Sequence, residues 1–243
     1  TLEQALAAAA ADATKDEIWI MGTAVSTEQV TTAFDPAAAK LTIRGGFTGS
    51  EDDPAERPAD GVTYVDGQGL YNACILANTT GHDVEIERVA FMRMALNGIT
   101  KTGGGDLWVE NCLFLTNSTA SAQEASWTGK GVAGRAIRVS SASGANIVVT
   151  NCQIRANRQT STGGNGGPGA ALCFSGCASA LVVDCKLHRN GVEMEENGSG
   201  SSSGSKNGDS GSLGSAIYTT VPTTVLRCEF SANGNNIRSS WTS

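Results

Sequence analysis

Four copies of one short pattern, Cys-x-[Phe/Ile/Leu]-x-x-Asn, constrain this chain more than any other feature. They run from Cys112 to Asn117, Cys152 to Asn157, Cys185 to Asn190 and Cys228 to Asn233. Each alternates apolar and polar residues and stops at Asn, which reads as a short half-buried strand followed by a turn. Stacked copies place Cys over Cys, apolar over apolar and Asn over Asn. The expected architecture is therefore an all-β solenoid of parallel strands.

The rest of the repeat can be aligned on those elements. A small-then-apolar pair opens each unit: Ala73-Cys74, Gly98-Ile99, Ala136-Ile137, Ala171-Leu172 and Ala216-Ile217. A second strand comes next, as in Val84-Glu85-Ile86, Leu107-Trp108-Val109 and Ile147-Val148-Val149. The earliest unit carries a degenerate closing element, with Val89 in the Cys column and Met94 in the Asn column. The Asn column is expected to be structural. Asn tolerates left-handed turn conformations, and its amide can bond the Asn of the next unit.

Units differ mainly in the residues inserted after the Asn. Insertions 118–134, 158–170 and 191–215 are rich in Gly, Ser, Asn and Thr. They leave from one corner of the repeat and would cluster on one side, a usual place for binding. The last, 191–215, reads as disordered. Residues 1–14 read as an Ala-rich capping helix with Leu2, Ala5, Leu6, Ala9 and Ala13 on one face. Residues 15–243 then form the repeats of a single domain. The start at Thr1 suggests a processed or excised segment.

A net charge of -7 and a pI near 4.9 argue against nucleic acid and anionic membrane surfaces as partners. No apolar run reaches the roughly 20 residues of a spanning helix, so no membrane insertion is expected. Seven Cys leave an odd count. Cys112, Cys152, Cys185 and Cys228 read as small buried hydrophobes with reduced thiols. Cys173 and Cys177, close together in Cys-Phe-Ser-Gly-Cys, are the best local candidates for a disulfide. The cysteines lack the paired spacing of a zinc site.

The openings Gly134-Arg135-Ala136-Ile137, Gly169-Ala170-Ala171-Leu172 and Gly214-Ser215-Ala216-Ile217 resemble the Gly-Gly-Ala-Ile element of chlamydial polymorphic outer-membrane protein repeats. Phe114-x-x-Asn117 and Phe230-x-x-Asn233 resemble that family's Phe-x-x-Asn element. The Ala-rich start, Glu17-Ile18-Trp19-Ile20 and Gly45-Gly46-Phe47-Thr48-Gly49 are similar to the leading segment of large bacterial secreted β-helix proteins. The second Gly of each opening is replaced here, and Ile154 and Leu187 stand in for Phe. The resemblance implies a right-handed parallel β-helix with a short N-terminal capping α-helix. It also implies a secreted or cell-surface setting and an adhesin-like role, and it carries over no catalytic residue.

The leading expectation is thus a non-catalytic extracellular protein, either an adhesin-like passenger or a structural rod. Its partners would be a glycan or a surface protein of a host or neighbouring cell. Trp127, His188 and Trp241 are the candidate binding residues, since a loop Trp can stack on a sugar ring or a protein surface. The first alternative is a polysaccharide lyase or glycoside hydrolase, for which Asp52, Asp53 and Glu85 are the acids to test. The second is a filament subunit that stacks end to end. No cofactor is expected. Calcium is left open, with no calcium-binding repeat behind it. Asn78, Asn117 and Asn197 begin glycosylation triplets, of which Asn117 reads as structural.

Overall fold

The computed structural model describes residues 2–22, 35–69, 74–78, 81–94, 97–117, 135–161, 171–196, 216–233 and 236–239. Insertion 118–134 with Trp127, the stretches 162–170 and 197–215, and Trp241 lie outside them.

The chain opens with α1 (Leu2–Ala11), β1 (Glu17–Met21), β2 (Lys40–Phe47) and β3 (Thr63–Asp66). Units of three strands then succeed one another. They are β4 (Cys74–Asn78), β5 (Asp83–Glu87) and β6 (Val89–Met92); β7 (Ile99–Gly103), β8 (Leu107–Glu110) and β9 (Leu113–Leu115); β10 (Ile137–Val139), β11 (Asn146–Thr150) and β12 (Gln153–Arg155). A fourth strand, β13 (Arg158–Ser161), joins here. The next unit is β14 (Leu172–Phe174), β15 (Ser179–Val183), β16 (Lys186–His188) and β17 (Gly191–Glu196). The last is β18 (Ile217–Thr219), β19 (Thr223–Leu226), β20 (Glu229–Ser231) and β21 (Asn236–Ser239).

The molecule is all-β apart from α1 and a 3-10 turn at Pro54–Glu56, among the described residues. Its sheets are parallel throughout. Sheet I runs β1-β2-β5-β8-β11-β15-β19, sheet II β18-β14-β10-β7-β4, and sheet III β20-β16-β12-β9-β6-β3. The chain visits sheets II, I and III in turn, so each strand pairs with its counterpart one unit away. The register keeps equivalent residues level: Ile99, Ile137, Leu172 and Ile217 in sheet II, and Phe91, Phe114, Ile154, Leu187 and Phe230 in sheet III.

Because side chains alternate across a strand, one set from each sheet shares a common core. Leu41, Ile86, Leu107, Ile137, Ile147, Phe114 and Leu172 are fully buried there. The Phe91 and Phe114 rings stack with centroids 5.4 Å apart. At about 25 cal/mol per Å2 of apolar surface removed from water, these columns supply the main stabilising term.

Four expectations need correction. First, α1 stops at Ala11 rather than residue 14. The Asp12 carboxylate accepts from the amide and hydroxyl of Thr14, which favours a turn over another helical residue, and Ala13 is exposed. Second, the left-handed position is not the Asn but the residue before it: Arg93 before Met94, then Thr116, Ala156, Arg189 and Ala232, with φ between 48° and 55°. Third, residues 158–161 and 191–196, expected as insertion loop, are strands. With β21 they form a parallel sheet IV, β13-β17-β21. Backbone pairing across units orders them, a term that Gly/Ser-rich composition does not reveal.

Fourth, Cys173 and Cys177 are both free thiols. Cys173 is level with Arg138 and Tyr218, on the face of sheet II opposite Leu172 and Phe174, whereas Cys177 joins the hydrophobic core. The pair is unbridged, and proximity in sequence alone does not supply disulfide geometry.

Candidate functional site

Sheet I carries its inward residues at Leu41 and Ile43, Val84 and Ile86, Leu107 and Val109, and Ile147 and Val149. The residues between them face outward and line up by register. One outward column reads Thr42, Glu85, Trp108, Val148, Leu181 and Thr224. The next reads Arg44, Glu87, Glu110, Thr150, Val183 and Leu226. Trp108 therefore stands on the outer face.

A groove of about 210 Å3 surrounds it, lined by Lys40, Glu85, Trp108, Glu110, Val148 and Thr150. Lys40 Nζ lies 2.6 Å from Glu85 Oε2 and 5.3 Å from the centre of the Trp108 ring. Both contacts are solvent-facing and each is worth about 1 kcal/mol or less. They can yield to a ligand at small cost. The arrangement offers a half-buried indole, carboxylate acceptors, a hydroxyl and one exposed cation. Such a set suits a polyhydroxylated ring that stacks by its apolar face and hydrogen-bonds at its edge.

The same face is closed toward β1. Arg57, on the Pro-rich loop, donates to both oxygens of Glu87 and to the carbonyls of Gly45 and Pro54. Its guanidinium lies 5.2 Å from the Phe47 ring centre, and Trp19 stacks on Phe47 at 4.6 Å. Arg44 bridges Glu17 and Glu87. This part of the sheet is a network of ion pairs around Glu87.

Glu51, Asp53 and Glu56 on the Pro-rich loop are committed to local structure. Glu51 accepts from the amides of Thr48, Gly49 and Ser50 and from the Thr48 hydroxyl. Desolvation pushes its carboxyl up, but the hydrogen bonds from Thr48 and Gly49 outweigh that and leave it at about 2. Asp53 caps the 3-10 turn through the Ala55 amide, and Glu56 accepts from the Asp52 amide. His82 contacts the Pro36 carbonyl through Nδ1 at 2.7 Å. His188, a candidate binding residue, is paired at 2.7 Å with the Ser231 hydroxyl on the neighbouring strand. It lies on sheet III, apart from the Trp108 groove.

The two repeat columns are interior ladders. Each Asn donates through Nδ2 to the Oδ1 of the next, Asn117 to Asn157 to Asn190 to Asn233, at 3.0–3.1 Å. The second Nδ2 hydrogen reaches a carbonyl, those of Phe91, Phe114, Ile154 and Leu187 in turn. Each thiol likewise donates to the carbonyl two residues before it at 3.1–3.2 Å. Burial holds the Cys152 thiol well above the ordinary range and pushes Cys173 up to about 11. A hydrogen bond with Cys152 draws the Cys185 thiol down. Cys112, Cys152 and Cys185 are shielded by burial, and the column packs as scaffold.

Two features escaped the sequence reading. Arg88, Asn111, Asn151, Asp184 and Arg227 all take φ near 50° at the corner between sheets I and III. Asn or Asp immediately before Cys was the available signal at three of them. Across this corner Asn151 bonds Asn111, and Arg227 grips both oxygens of Asp184 at 2.7 Å. The other is Lys101, fully buried in the apolar column beside Val139. Its ammonium donates to the carbonyls of Thr102, Gly103 and Gly104. Burial pulls it down to about 8 against the pull of Asp35, Asp106 and Asp83.

Comparison with known proteins finds no matching family model, no similar curated protein and no similar solved structure.

Proposed function

We propose that this chain is a right-handed parallel β-helix acting as a non-catalytic extracellular surface protein that holds a glycan on the outer face of sheet I. The observation that carries the reading is the Trp108 groove, an aromatic platform edged by Glu85, Glu110 and Thr150 on rigid strands. The fold reading is supported by the strand order, in which each of three parallel sheets receives one strand per unit in constant register. The setting rests on the resemblance of the repeats. Buried thiols are compatible with it, because shielding slows their oxidation without any need for bridging.

The test is binding of the intact chain to an array of neutral, acidic and amino glycans, with Trp108→Ala and Trp127→Ala alongside. The expected result is one retained glycan class, with affinity reduced about tenfold or more by Trp108→Ala, as loss of one stacking platform implies. Binding that depends on Trp127 and ignores Trp108 would move the site to the insertion loop.

One observation favours a second reading, cleavage of an extracellular polysaccharide: Glu85 and Glu110 both border the groove. They sit on adjacent strands, two residues out of register, a diagonal that places them about 7–8 Å apart. Against it, Glu85 is already paired with Lys40. New reducing or unsaturated ends from any polysaccharide, lost in Glu85→Gln or Glu110→Gln, would establish the enzyme and remove the binding-only reading.

A further inference from the structure

The outer face of sheet I has more acids than cations to match them. Among the described residues its ion pairs join Lys40 to Glu85, Arg44 to Glu17 and Glu87, and Arg57 and Arg88 to Glu87. Glu110, level with Glu87 on one side and Thr150 on the other, is exposed and belongs to none of them. The column that starts at Lys40 continues with Asp83 and Asp106, which accept from the amides of Asp106 and Asn146. Lys101 is buried and holds its ammonium on three carbonyls. The Trp108 groove is thus bordered by two carboxylates and one ammonium, and Glu110 is the carboxylate left unmatched.

The matched pair shows what the groove takes. The Lys40 ammonium lies 2.6 Å from a Glu85 oxygen and 5.3 Å from the centre of the indole. The chain itself therefore holds a cation between a carboxylate and an aromatic ring. Glu110 offers a second carboxylate beside the same indole. It follows Trp108 by two residues along β8, which puts it on the same face about 7 Å away. Among the described residues no side chain supplies a second ammonium.

Taking this groove as the glycan site proposed above, we infer that its ligand is an amino glycan: a chain of hexosamine rings with free amines, one ring stacked on Trp108 and its ammonium donating to Glu110.

The chemistry of the ring fits these residues. The C–H bonds of a hexosamine form an apolar face and its amine sits at the edge, so stacking on an indole turns the amine toward the flanking side chains. An ammonium there gains a charge-assisted hydrogen bond from an acceptor with no other ion to lose. An acetylated amine keeps the stack and loses the charge. A uronic acid would bring its carboxylate against Glu85 and Glu110, with only Lys40 bordering the groove to meet it, and that ammonium is already paired. Val148 and Leu181 carry the Trp108 column onto the next two strands, each about 4.8 Å further on and each partly buried. They extend the apolar surface for a second ring. A net charge of -7 also draws a polycation toward the chain, an attraction that weakens as salt rises.

The test is titration calorimetry of the intact chain with oligomers of glucosamine and of galactosamine, each beside its fully N-acetylated counterpart, and with a uronic acid oligomer. One free-amine form should bind about tenfold tighter than its acetylated counterpart, the worth of one hydrogen bond to a charged group. Glu110→Gln should bring the two forms to equal affinity, and Glu110→Lys should turn the preference to the uronic acid. Trp108→Ala should weaken both forms together. Unchanged circular dichroism of each variant separates loss of contact from loss of fold. Equal binding of free and acetylated forms by the native chain overturns the inference and leaves the Trp108 platform in place. So does a uronic acid that binds most tightly and is lost in Lys40→Met. A free-amine preference that survives Glu110→Gln also overturns it, since the amine then sits elsewhere. Retention of no glycan by the native chain removes this inference and the glycan site together.

Discussion

The Nδ2 of Asn157 donates to the Oδ1 of Asn190 at 3.1 Å, and the backbone amide of Asn157 reaches the same oxygen, also at 3.1 Å. One carboxamide thus fills both lone pairs of its oxygen and both hydrogens of its nitrogen inside the core. Only Asn meets that requirement: Asp cannot donate and Gln is one methylene too long. Asn157→Ala should cost about 3 kcal/mol, because the Asn117 amides and the Phe114 carbonyl are left without partners. Asn157→Asp should cost at least as much despite its similar shape. Denaturant unfolding of the three proteins checks both, and an Asp variant as stable as wild type would show that the ladder is not what fixes this column.

Lys101 makes stability depend on pH in a stated direction. Its folded pKa of about 8 lies below the unfolded value near 10.5. Between those two values the unfolded chain holds a proton that the folded chain has released, so stability should rise as pH increases through the window. The gain is on the order of 3 kcal/mol if the whole shift is expressed. Cys173, pushed up to about 11, acts in the opposite sense above its unfolded pKa. The clean readout is therefore the difference between wild type and Lys101→Met across pH 8 to 10.5. A difference that does not change with pH would mean that the ammonium stays charged on its three carbonyls.

Gly45 is a close-approach position. A Cβ there would meet the Arg88 carbonyl oxygen at 2.2 Å and the Thr63 Cβ at 3.2 Å. Gly45→Ala should lower stability by about 2–4 kcal/mol through strain between sheets I and III. Gly22→Ala, where no atom lies within 4 Å but φ is +62°, should cost only about 1 kcal/mol. Thermal melts of the two variants compared with wild type decide it.

Thiol reactivity should depend on position in the stack. Cys112, Cys152 and Cys185 are buried, while Cys228 in the last unit is only partly so. With the chain native at mildly alkaline pH, an alkylating reagent should label Cys228 before any of those three. They should react only as fast as the protein opens. Site-resolved mass spectrometry gives the order, and early labelling of Cys152 would mean that the column is not closed.

The parallel strands were legible because the repeat repeats its errors as well as its rules. Val89 and Met94 are poor matches to Cys and Asn, yet both fall into the right columns: Val89 is buried, and the Met94 amide donates to Asn117 Oδ1. A column pattern carries over from unit to unit because register forces it. The candidate site was not legible. Trp108 is one residue in an alternating strand, and only the neighbours at Lys40, Glu85 and Thr150, each on another strand, make it a groove. Sheet IV was missed for a related reason. Its strands owe their order to pairing between units, and nothing in Arg158-Gln159-Thr160-Ser161 announces a strand alone.

The Asn ladder has a polarity. Every carboxamide oxygen points toward the N-terminal neighbour that donates to it, and the nitrogens of Asn117, Asn157 and Asn190 each donate to the C-terminal one. A side-chain amide carries about the dipole of a peptide unit, roughly 3.5 D, and four of them here are aligned in low-dielectric surroundings. Their sum leaves fractional negative charge near Met94 and fractional positive charge near Asn233. The interior of the molecule thus behaves as a small electret, and each added unit would lengthen it without changing its sign.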